Sequence, residues 1–230
     1  MSRHCPNTYS REALISTDMP TDTKPVESTV LDRLEQCSTS AIADTNHGSV
    51  TTLASAIESI HTDGTVAGPV RTVALDPAAL SAPVQTLDTA RKDEVVVVDA
   101  EDSTDEAIWG ELLSTYATAT DVRGMVTNGA VRDVSGIRDL GFPVFARAVT
   151  PRGPSGSEEA ERNGQVTVGG ALITPGDVLV GDDSGVVVIE RAAVEDVTAA
   201  AEAIAETERD VDRLIGEGRS LEQAFEDAGM

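Results

Sequence analysis

The alternation of apolar and polar residues divides the chain into extended and helical segments. Six runs have the period of two, or the continuous apolar character, that is typical of β-strands. They cover residues 65–75, 95–99, 124–128, 144–149, 178–180 and 186–189. The last two runs are joined by an acidic turn that contains glycine, and Pro175-Gly176 is a turn signal ahead of them. We therefore expect these two strands to form a hairpin.

Apolar residues at helical spacing predict helices at both ends of the chain and one in the middle. A short helix covers residues 30–34, and Ser38 to Ser40 can cap a second helix that begins at Ala41. Residues 105–120 lie between two predicted strands, so strand, helix and strand form a βαβ unit. A long helix covers residues 191–215 and ends at Gly216. The pattern predicts an α/β protein, a layered sandwich of mixed strands covered by helices.

The length fits one domain with a polar extension. Residues 1–28 contain three prolines and no sustained period, so they are expected to be disordered. Residues 29–230 are long enough for one sizeable core and form the predicted single domain.

Composition adds a strong negative charge to this picture. Forty acidic and 17 basic residues give a formal net charge of -23, and 15 of the basic residues are arginine because Lys24 and Lys92 are the only lysines. Acid-rich, lysine-poor usage suggests a halophile, and a mesophilic protein with a solvated acidic face is the alternative. The carboxylates are spread along the chain, which argues against nucleic acid and anionic membranes as partners.

Cysteine usage and hydropathy place the chain in the cytoplasm. Cys5 and Cys37 form neither a disulfide framework nor a zinc spacing. No apolar run approaches the roughly 18 residues of a membrane span, and the first residues lack the apolar core of a secretory signal.

The most informative stretch is Gly110-Glu111-Leu112-Leu113, followed by Asn128-Gly129-Ala130-Val131-Arg132-Asp133. Twenty residues separate Glu111 from Arg132. Further motifs follow at Gly141-Phe142-Pro143, Thr150-Pro151-Arg152-Gly153, Gly169-Gly170 and Asp182-Asp183-Ser184-Gly185. As a set, these motifs resemble the RraA-like family, in particular its metal-dependent pyruvate aldolases, over roughly residues 30 to 220.

The resemblance implies a β/β/α swivelling-type sandwich, with helices on the N-terminal side and a long C-terminal helix. It also implies a homotrimer, or a pair of trimers, with sites between subunits. The family's aldolases often have Asp at the positions of Glu111 and Asn128, so the departures here leave the substrate open. The implied substrate is a small anionic 2-oxo acid of the 4-hydroxy-4-methyl-2-oxoglutarate type.

Such a cleavage must stabilise a pyruvate enolate, through either a lysine Schiff base or a divalent metal. Lys24 lies in the polar extension and Lys92 in a charged cluster, so neither is a convincing imine lysine. We therefore expect Mg²⁺ or Mn²⁺, with Asp133 as the metal ligand, because a hard carboxylate suits these ions and they retain several waters. Arg132 is expected to hold the substrate's carbonyl or enolate oxygen. A surface ion pair in a turn is the alternative for this Arg-Asp pair.

The remaining candidates are carboxylates and backbone amides. Glu111 shares a helical face with Ile108 and Leu112, so its side chain should point toward the body and hold a water near the metal. If Gly110 to Leu113 begins the regular helix, its free N–H groups can bind the substrate carboxylate. An ordinary glutamate at the helix edge is the alternative for Glu111.

Glu208 falls within an apolar stripe formed by Ile204, Val211 and Ile215. The resemblance assigns this position to a glutamate that reaches a neighbouring subunit's site and positions or deprotonates a water. Placement at the edge of the stripe is the alternative.

The sequence thus predicts a class II pyruvate aldolase with oxaloacetate decarboxylase activity, since both reactions pass through the same enolate. An RraA-type regulator that inhibits a ribonuclease by contact and has no catalytic activity is the alternative function. That branch is typically shorter and lacks the long C-terminal helix.

Overall fold

The computed structural model describes residues 26–74, 81–154 and 161–230. The predicted disordered extension, apart from residues 26–28, lies outside the described residues, as does the end of the first predicted strand at Leu75. Both remain predictions.

The described strands follow the chain from a short edge strand to a long hairpin. They are β1 (Val50–Thr52), β2 (Glu58–His61), β3 (Val66–Ala74), β4 (Val95–Asp99), β5 (Ala107–Trp109), β6 (Gly124–Val131), β7 (Val144–Val149), β8 (Glu161–Arg162), β9 (Val166–Val168), β10 (Ala171–Ile173), β11 (Val178–Asp182) and β12 (Gly185–Ile189). The helices are α1 (Ser28–Leu34), α2 (Thr39–Asp44), α3 (Ser81–Leu87), α4 (Glu111–Ala119), α5 (Val134–Leu140), α6 (Val194–Gly216) and α7 (Leu221–Ala228).

One large sheet has the strand order β1-β12-β11-β3-β4-β6-β7-β2. The central strands β3, β4, β6 and β7 are parallel, and the outer pairs are antiparallel. The predicted βαβ unit is confirmed, because β4 and β6 are parallel neighbours and α4 connects them. The predicted hairpin is also confirmed, since Asp182 pairs with Gly185 at its tip.

Three apolar clusters hold the sheet and helices in layers. One lies between the parallel strands and helices α3 to α5 and contains Trp109 and Phe142. A second lies between the two halves of the sheet and the β9–β10 hairpin, around Phe145. The third lies under α1, α2 and α6 and contains Leu34. The architecture is the predicted mixed α/β sandwich with N-terminal helices and a long C-terminal helix.

The predicted helix over residues 105–120 is wrong at its beginning. Residues Ala107–Trp109 form β5, which pairs with β6, and the helix begins at Glu111. Ile108 and Trp109 are fully buried, whereas Leu112 is 80% exposed. Ile108 and Leu112 are at helical spacing, but one lies in a core strand and the other on the surface of a helix. They do not belong to one apolar stripe.

The C-terminal helix begins at Val194, after a 3₁₀ turn over Arg191–Ala193. Its buried stripe is formed by Val194, Val197, Thr198, Ala201, Val211 and Leu214. Glu208 and Ile215 are exposed, so the prediction that Glu208 lies inside an apolar stripe is wrong for the single chain.

The ends of the N-terminal helices follow from their sequence. The Ser38 side chain caps α2 by accepting a hydrogen bond from the Ala41 amide at 3.1 Å, so the predicted cap is confirmed, although the helix begins at Thr39 and not at Ala41. Arg33 on α1 donates from Nε to Glu202 on α6 at 2.8 Å, and this hydrogen bond lowers the pKa of the Glu202 carboxyl. Within the described ranges, no helix has the length and apolar character needed to cross a membrane.

Candidate active site at two strand-to-helix junctions

Two neighbouring strands end side by side, and each leads directly into a helix. Strand β5 ends at Trp109, and Gly110 is the N-cap of α4. Strand β6 ends at Val131, and Arg132 and Asp133 connect it to α5. The Arg132 amide donates to the Trp109 carbonyl at 3.0 Å, so the two junctions are in contact. Crevices outside the carboxyl ends of parallel strands are common ligand sites.

Neither helix is capped by its N-cap side chain. Gly110 has no side chain, and the Asp133 carboxylate makes no capping hydrogen bond. The first N–H groups of an α-helix have no carbonyl partner within the helix, and the described part of the chain gives those of α4 no other partner. They carry the positive end of the helix dipole. The condition set for binding by these amides is met, because the regular helix begins at Glu111 with Gly110 as its N-cap.

Asp133 has an unusual backbone for an N-cap residue. Its φ of 56° and ψ of 40° place it in the left-handed region, whereas N-caps normally adopt the extended region. A side chain in the left-handed region costs about 1 kcal/mol or more. The strained geometry turns its carboxylate toward the α4 junction, where Oδ2 lies 2.7 Å from the position of a Cβ added to Gly110.

The predicted pair of Arg132 and Asp133 lies at this junction. Arg132 Nε is 3.4 Å from Asp133 Oδ2, and the two side chains are 39% and 45% exposed. The contact is therefore partly solvated, and both groups are accessible to a small ligand.

Three glycines each make room for one of the predicted charged side chains. A Cβ at Gly110 would collide with the Asp133 carboxylate, one at Gly136 with the Glu111 carboxylate, and one at Gly153 with the Arg132 guanidinium. Sequence reasoning missed Gly136. Gly136 is the third residue of α5. Glycine is unfavourable relative to alanine inside a helix, so its presence there is the signal that something else requires the missing side chain.

Glu111 differs from its predicted orientation. The residue is exposed, and its carboxylate lies over Gly136 in the first turn of α5. The prediction that it points toward the body of the protein is wrong, because Ile108 belongs to β5 and does not share a helical face with Glu111. A carboxylate is nevertheless favourable at the N-terminal turn of a helix.

A cleft of about 260 Å³ opens beside the pair. Its walls are Val84, Ala107, Trp109, Gly110, Leu112, Leu113, Arg132, Asp133 and Pro154. The Trp109 indole is held in place, because it stacks on Phe142 at 6.3 Å and donates to Ser114 Oγ at 2.9 Å. The cleft therefore has one rigid aromatic wall and one charged end. Sequence reasoning did not assign Trp109, Val84 or Pro154 to the site.

Glu208 is not part of this cleft in the single chain. It is exposed on α6, which packs on α1, α2 and α7. Among the described contacts, no hydrogen bond or ion pair joins it to Arg132 or Asp133.

The donor set for a divalent metal is small. Among the residues that the structure describes, no three Asp, Glu, His or Cys side chains converge. The accessible carboxylate of Asp133 is the hard oxygen donor at the cleft, and the nearby Glu111 carboxylate adds negative charge. This set suits Mg²⁺ or Mn²⁺ bound largely through water, and does not suit an ion that needs a full cage of protein ligands.

Other arginines that could have bound a second substrate carboxylate are engaged or lie outside the cleft. Arg71 is buried and donates to both oxygens of Glu94, at 2.6 and 3.1 Å. Arg147 pairs with Asp102. Arg152 is exposed and does not line the cleft.

Comparisons of the sequence and of the structure with known proteins point to the same family. The model of the RraA-like family, described as Aldolase/RraA, matches residues 39–188. Protein DlpA from Legionella pneumophila is 35% identical over 142 residues, which are 61% of this chain and 23% of that protein, so the chain corresponds to less than a quarter of DlpA. A putative 4-hydroxy-4-methyl-2-oxoglutarate aldolase from Halalkalibacterium halodurans is 33% identical over 159 residues, 69% of this chain and 75% of that protein.

Two solved structures with the same fold are a protein of unassigned function and an inhibitor of RNA processing. An uncharacterized protein from Pseudomonas syringae pv. tomato matches with a TM-score of 0.79 and 26% identity, over 88% of this chain and 99% of that one. The RNA-processing inhibitor RraA from Thermus thermophilis matches with a TM-score of 0.61 and 25% identity, over 66% of this chain and 92% of that one.

Proposed function

The chain belongs to the RraA-like family, and we propose that it is a divalent-metal-dependent lyase that cleaves 4-hydroxy-2-oxo acids to pyruvate and a second oxo compound. The observation that carries the proposal is the meeting of Arg132, Asp133 and the uncapped N-terminus of α4 at one cleft. The aldolase relative supports 4-hydroxy-4-methyl-2-oxoglutarate as the first substrate to test.

The substrate's C1 carboxylate binds the free N–H groups at the start of α4. Amides of Glu111, Leu112 and Leu113 and the dipole of this nine-residue helix favour an anion there. Arg132 then lies within reach of the C2 oxygen, where its fixed positive charge stabilises the charge that develops during cleavage.

The reaction breaks one carbon–carbon bond. A base takes the proton from the C4 hydroxyl, the C3–C4 bond breaks, and its electron pair forms the enolate of pyruvate while C4 becomes a carbonyl. Protonation of C3 completes pyruvate. Oxaloacetate decarboxylation forms the same enolate with loss of carbon dioxide, which makes it the expected side activity.

Asp133 would hold the metal ion. When bound, Mg²⁺ or Mn²⁺ supplies Lewis-acid stabilisation of negative charge on the substrate's oxygens. Glu111, over the first turn of α5, holds water beside Asp133.

In this proposal, Glu208 of a neighbouring subunit positions or deprotonates a water during proton transfer. Its exposure on α6 leaves it free to reach another copy of the chain. Exposed apolar side chains on the C-terminal helices, including Leu221 and Phe225, support an interface between copies of the chain, and the family resemblance makes a homotrimer or hexamer the expected assembly.

A second candidate function is contact regulation of RNA processing, supported by the similarity to the RraA inhibitor. Helices α6 and α7 lie beyond the matched residues 39–188, and the cleft provides chemistry that such a role does not use. The lyase is therefore the preferred proposal.

Pyruvate release tests the proposed function. A panel of 4-hydroxy-2-oxo acids and oxaloacetate is incubated with the protein, with and without a chelator, and pyruvate is measured by a coupled reduction. We expect turnover that the chelator removes and that Mg²⁺ or Mn²⁺ restores. Absence of pyruvate from every member of the panel in the presence of metal would contradict the lyase.

A further inference from the structure

We infer that Asn128 is a positioning residue of the proposed active site. Asn128 lies in β6, four residues before Arg132. Its side-chain amide fixes a bulge in this strand, and the bulge sets where Arg132 and Asp133 lie relative to the start of α4. The inference rests on the proposed lyase activity and adds a residue that acts through Arg132 and Asp133.

Strand β6 changes its neighbour on one side at Asn128. It pairs with β4 as far as Thr127, and with β5 from Ala130 onward. On its other side, β6 advances three residues between Thr127 and Ala130 while β7 advances only two. The extra residue makes residues 128–129 a β-bulge, which bends a strand and changes the direction of the side chains after it.

The side chain of Asn128 holds this bulge to the end of β4. It is 3% exposed, its Oδ1 accepts from the Ala100 amide at 2.7 Å, and its Nδ2 donates to the Asp99 carboxylate at 2.8 Å. Asp99 is the last residue of β4, so the Asn128 amide takes over where the backbone pairing of β4 with β6 stops. Asp99 also accepts from the Thr167 amide of β9 at 3.2 Å, which fixes the bulge to a third strand.

The backbone beside Asn128 is closely packed. A Cβ added to Gly129 would lie 2.7 Å from the Ala100 Cβ, and the Gly129 amide donates to the buried Thr127 hydroxyl at 2.9 Å. The chain after β4 therefore lies directly against the bulge. Asn128 is the side chain that joins the two, since its amide bonds to both Asp99 and Ala100.

A short, paired segment connects the bulge to the site. Val131 pairs with Trp109 of β5, and the Arg132 amide donates to the Trp109 carbonyl at 3.0 Å. Trp109 directly precedes Gly110, the N-cap of α4. A different bulge geometry cannot keep the pairing with β4 and this pairing with β5 at once, so it would displace Arg132 and Asp133 from the start of α4.

A variant without the amide tests this role. In Asn128→Ala, kcat for pyruvate release from 4-hydroxy-4-methyl-2-oxoglutarate with Mg²⁺ is expected to fall about 100-fold, because a displacement of about 1 Å at a site costs this much. KM is expected to change by less than about threefold, since the amides at the start of α4 are unchanged. Rates are divided by the folded fraction, which circular dichroism measures under assay conditions.

Asp177→Ala is the matched control. Asp177 is also a buried side chain that accepts from two backbone amides, those of Thr174 and Arg191, at 2.9 and 3.0 Å. It precedes β11 and is not among the described residues that line the cleft. This variant should lose stability and keep the wild-type kcat per folded molecule.

A double-mutant cycle with Arg132→Lys separates positioning from a general effect on the fold. If Asn128 acts through Arg132 and Asp133, the loss of kcat caused by Asn128→Ala should be at least about tenfold smaller in the Arg132→Lys protein than in wild type, because the effects of coupled residues do not add. A purely structural role would lower kcat by the same factor in both backgrounds.

Asn128→Asp keeps the cycle usable if Asn128→Ala does not fold. It retains the size of the side chain and the acceptor for the Ala100 amide, but it places a carboxylate against Asp99, which disfavours ionisation of both groups. Asp99→Asn/Asn128→Asp restores one donor and one acceptor, and should raise kcat about tenfold above that of Asn128→Asp.

Three results would overturn the inference. They are wild-type kcat in both substitutions of Asn128, an equal loss of kcat in the two Arg132 backgrounds, and no recovery in the double variant of Asp99 and Asn128. Any of these with an active wild type refutes the positioning role alone. A wild type that neither cleaves the acid nor exchanges the methyl protons of pyruvate with deuterium oxide refutes the proposed function as well.

Discussion

At the residue scale, three of the four candidate charged side chains lie against a glycine, and Glu208 is the exception. The Asp133 carboxylate approaches Gly110, the Glu111 carboxylate lies over Gly136, and the Arg132 guanidinium lies over Gly153. These charged residues were predicted from the resemblance to the RraA-like family, whose pattern the Glu111-to-Arg132 spacing matches. The contact of Glu111 with Gly136 could not be predicted, because 24 residues separate the two in the sequence and only the folded chain brings them together.

Gly136→Ala should separate stability from activity. The added methyl group would displace the flexible Glu111 side chain, while alanine inside α5 is favoured over glycine by about 0.5–1 kcal/mol. We expect a melting temperature equal to or above that of wild type and a fall in turnover of about tenfold or more, since small displacements at a site are costly. Gly48→Ala, which meets no atom within 4 Å, is the matched control. Unchanged turnover in Gly136→Ala would show that the position of Glu111 is not important.

At the element scale, the parallel unit of β4, α4 and β6 and the β11–β12 hairpin could be predicted, since each combines a long apolar run with a clear turn or helix signal. The three-residue strand β5 could not, because Ile108, Leu112 and Tyr116 are at helical spacing although they belong to two elements. The short edge strands β1 and β2 lack an apolar run, with exposed or half-buried positions throughout. These strands form because they pair with β12 and β7, which are distant in the sequence, and not because of their own residue pattern.

The ion pair of Arg71 with Glu94 joins β3 to the residue before β4. Both residues are buried, and Glu94 also accepts from the Arg91 amide at 2.7 Å. Arg71→Met leaves the Glu94 carboxylate buried without its cation, so it should lower the free energy of unfolding by about 3–5 kcal/mol. Urea denaturation measures this change.

The double variant Arg71→Met/Glu94→Gln removes the unpaired charge and should recover part of the loss. A loss below about 1 kcal/mol for Arg71→Met would contradict the structural role and would return Arg71 to the candidates for substrate binding.

At the scale of the whole molecule, the charge of -23 predicts stability that depends on salt. Raising KCl from about 0.1 M to about 1 M shortens the Debye length from about 10 Å to about 3 Å and screens repulsion among exposed carboxylates. The melting temperature should rise steeply over this range and continue to rise at higher salt. A flat response would refute the halophile hypothesis and leave the alternative of a mesophilic acidic protein.

The shared site can be tested by mixing subunits. Asp133→Ala and Glu208→Gln proteins are each expected to be inactive or nearly so, but a mixed oligomer can contain an interface with one intact copy of both residues. Recovered pyruvate release after subunit exchange, confirmed by mass, is the predicted result. Glu206→Gln, at another exposed glutamate of the same helix, is the control and should be active by itself. Exchange without recovery would show that Glu208 does not act across the interface.

The central claim is that the cleft at Arg132 and Asp133 stabilises the enolate of pyruvate, and proton exchange measures this most directly. Pyruvate in deuterium oxide is incubated with the protein and Mg²⁺ or Mn²⁺, and loss of the methyl proton signal is followed by NMR. We predict exchange by wild type and by the surface controls Asp139→Asn and Arg138→Lys. Asp133→Asn and Arg132→Lys should lower the exchange rate by about 100-fold or more, since an arginine fork and a metal-binding carboxylate are not replaced by these groups. No exchange above the solvent rate in wild type, or equal rates in the site variants and the controls, would contradict the account.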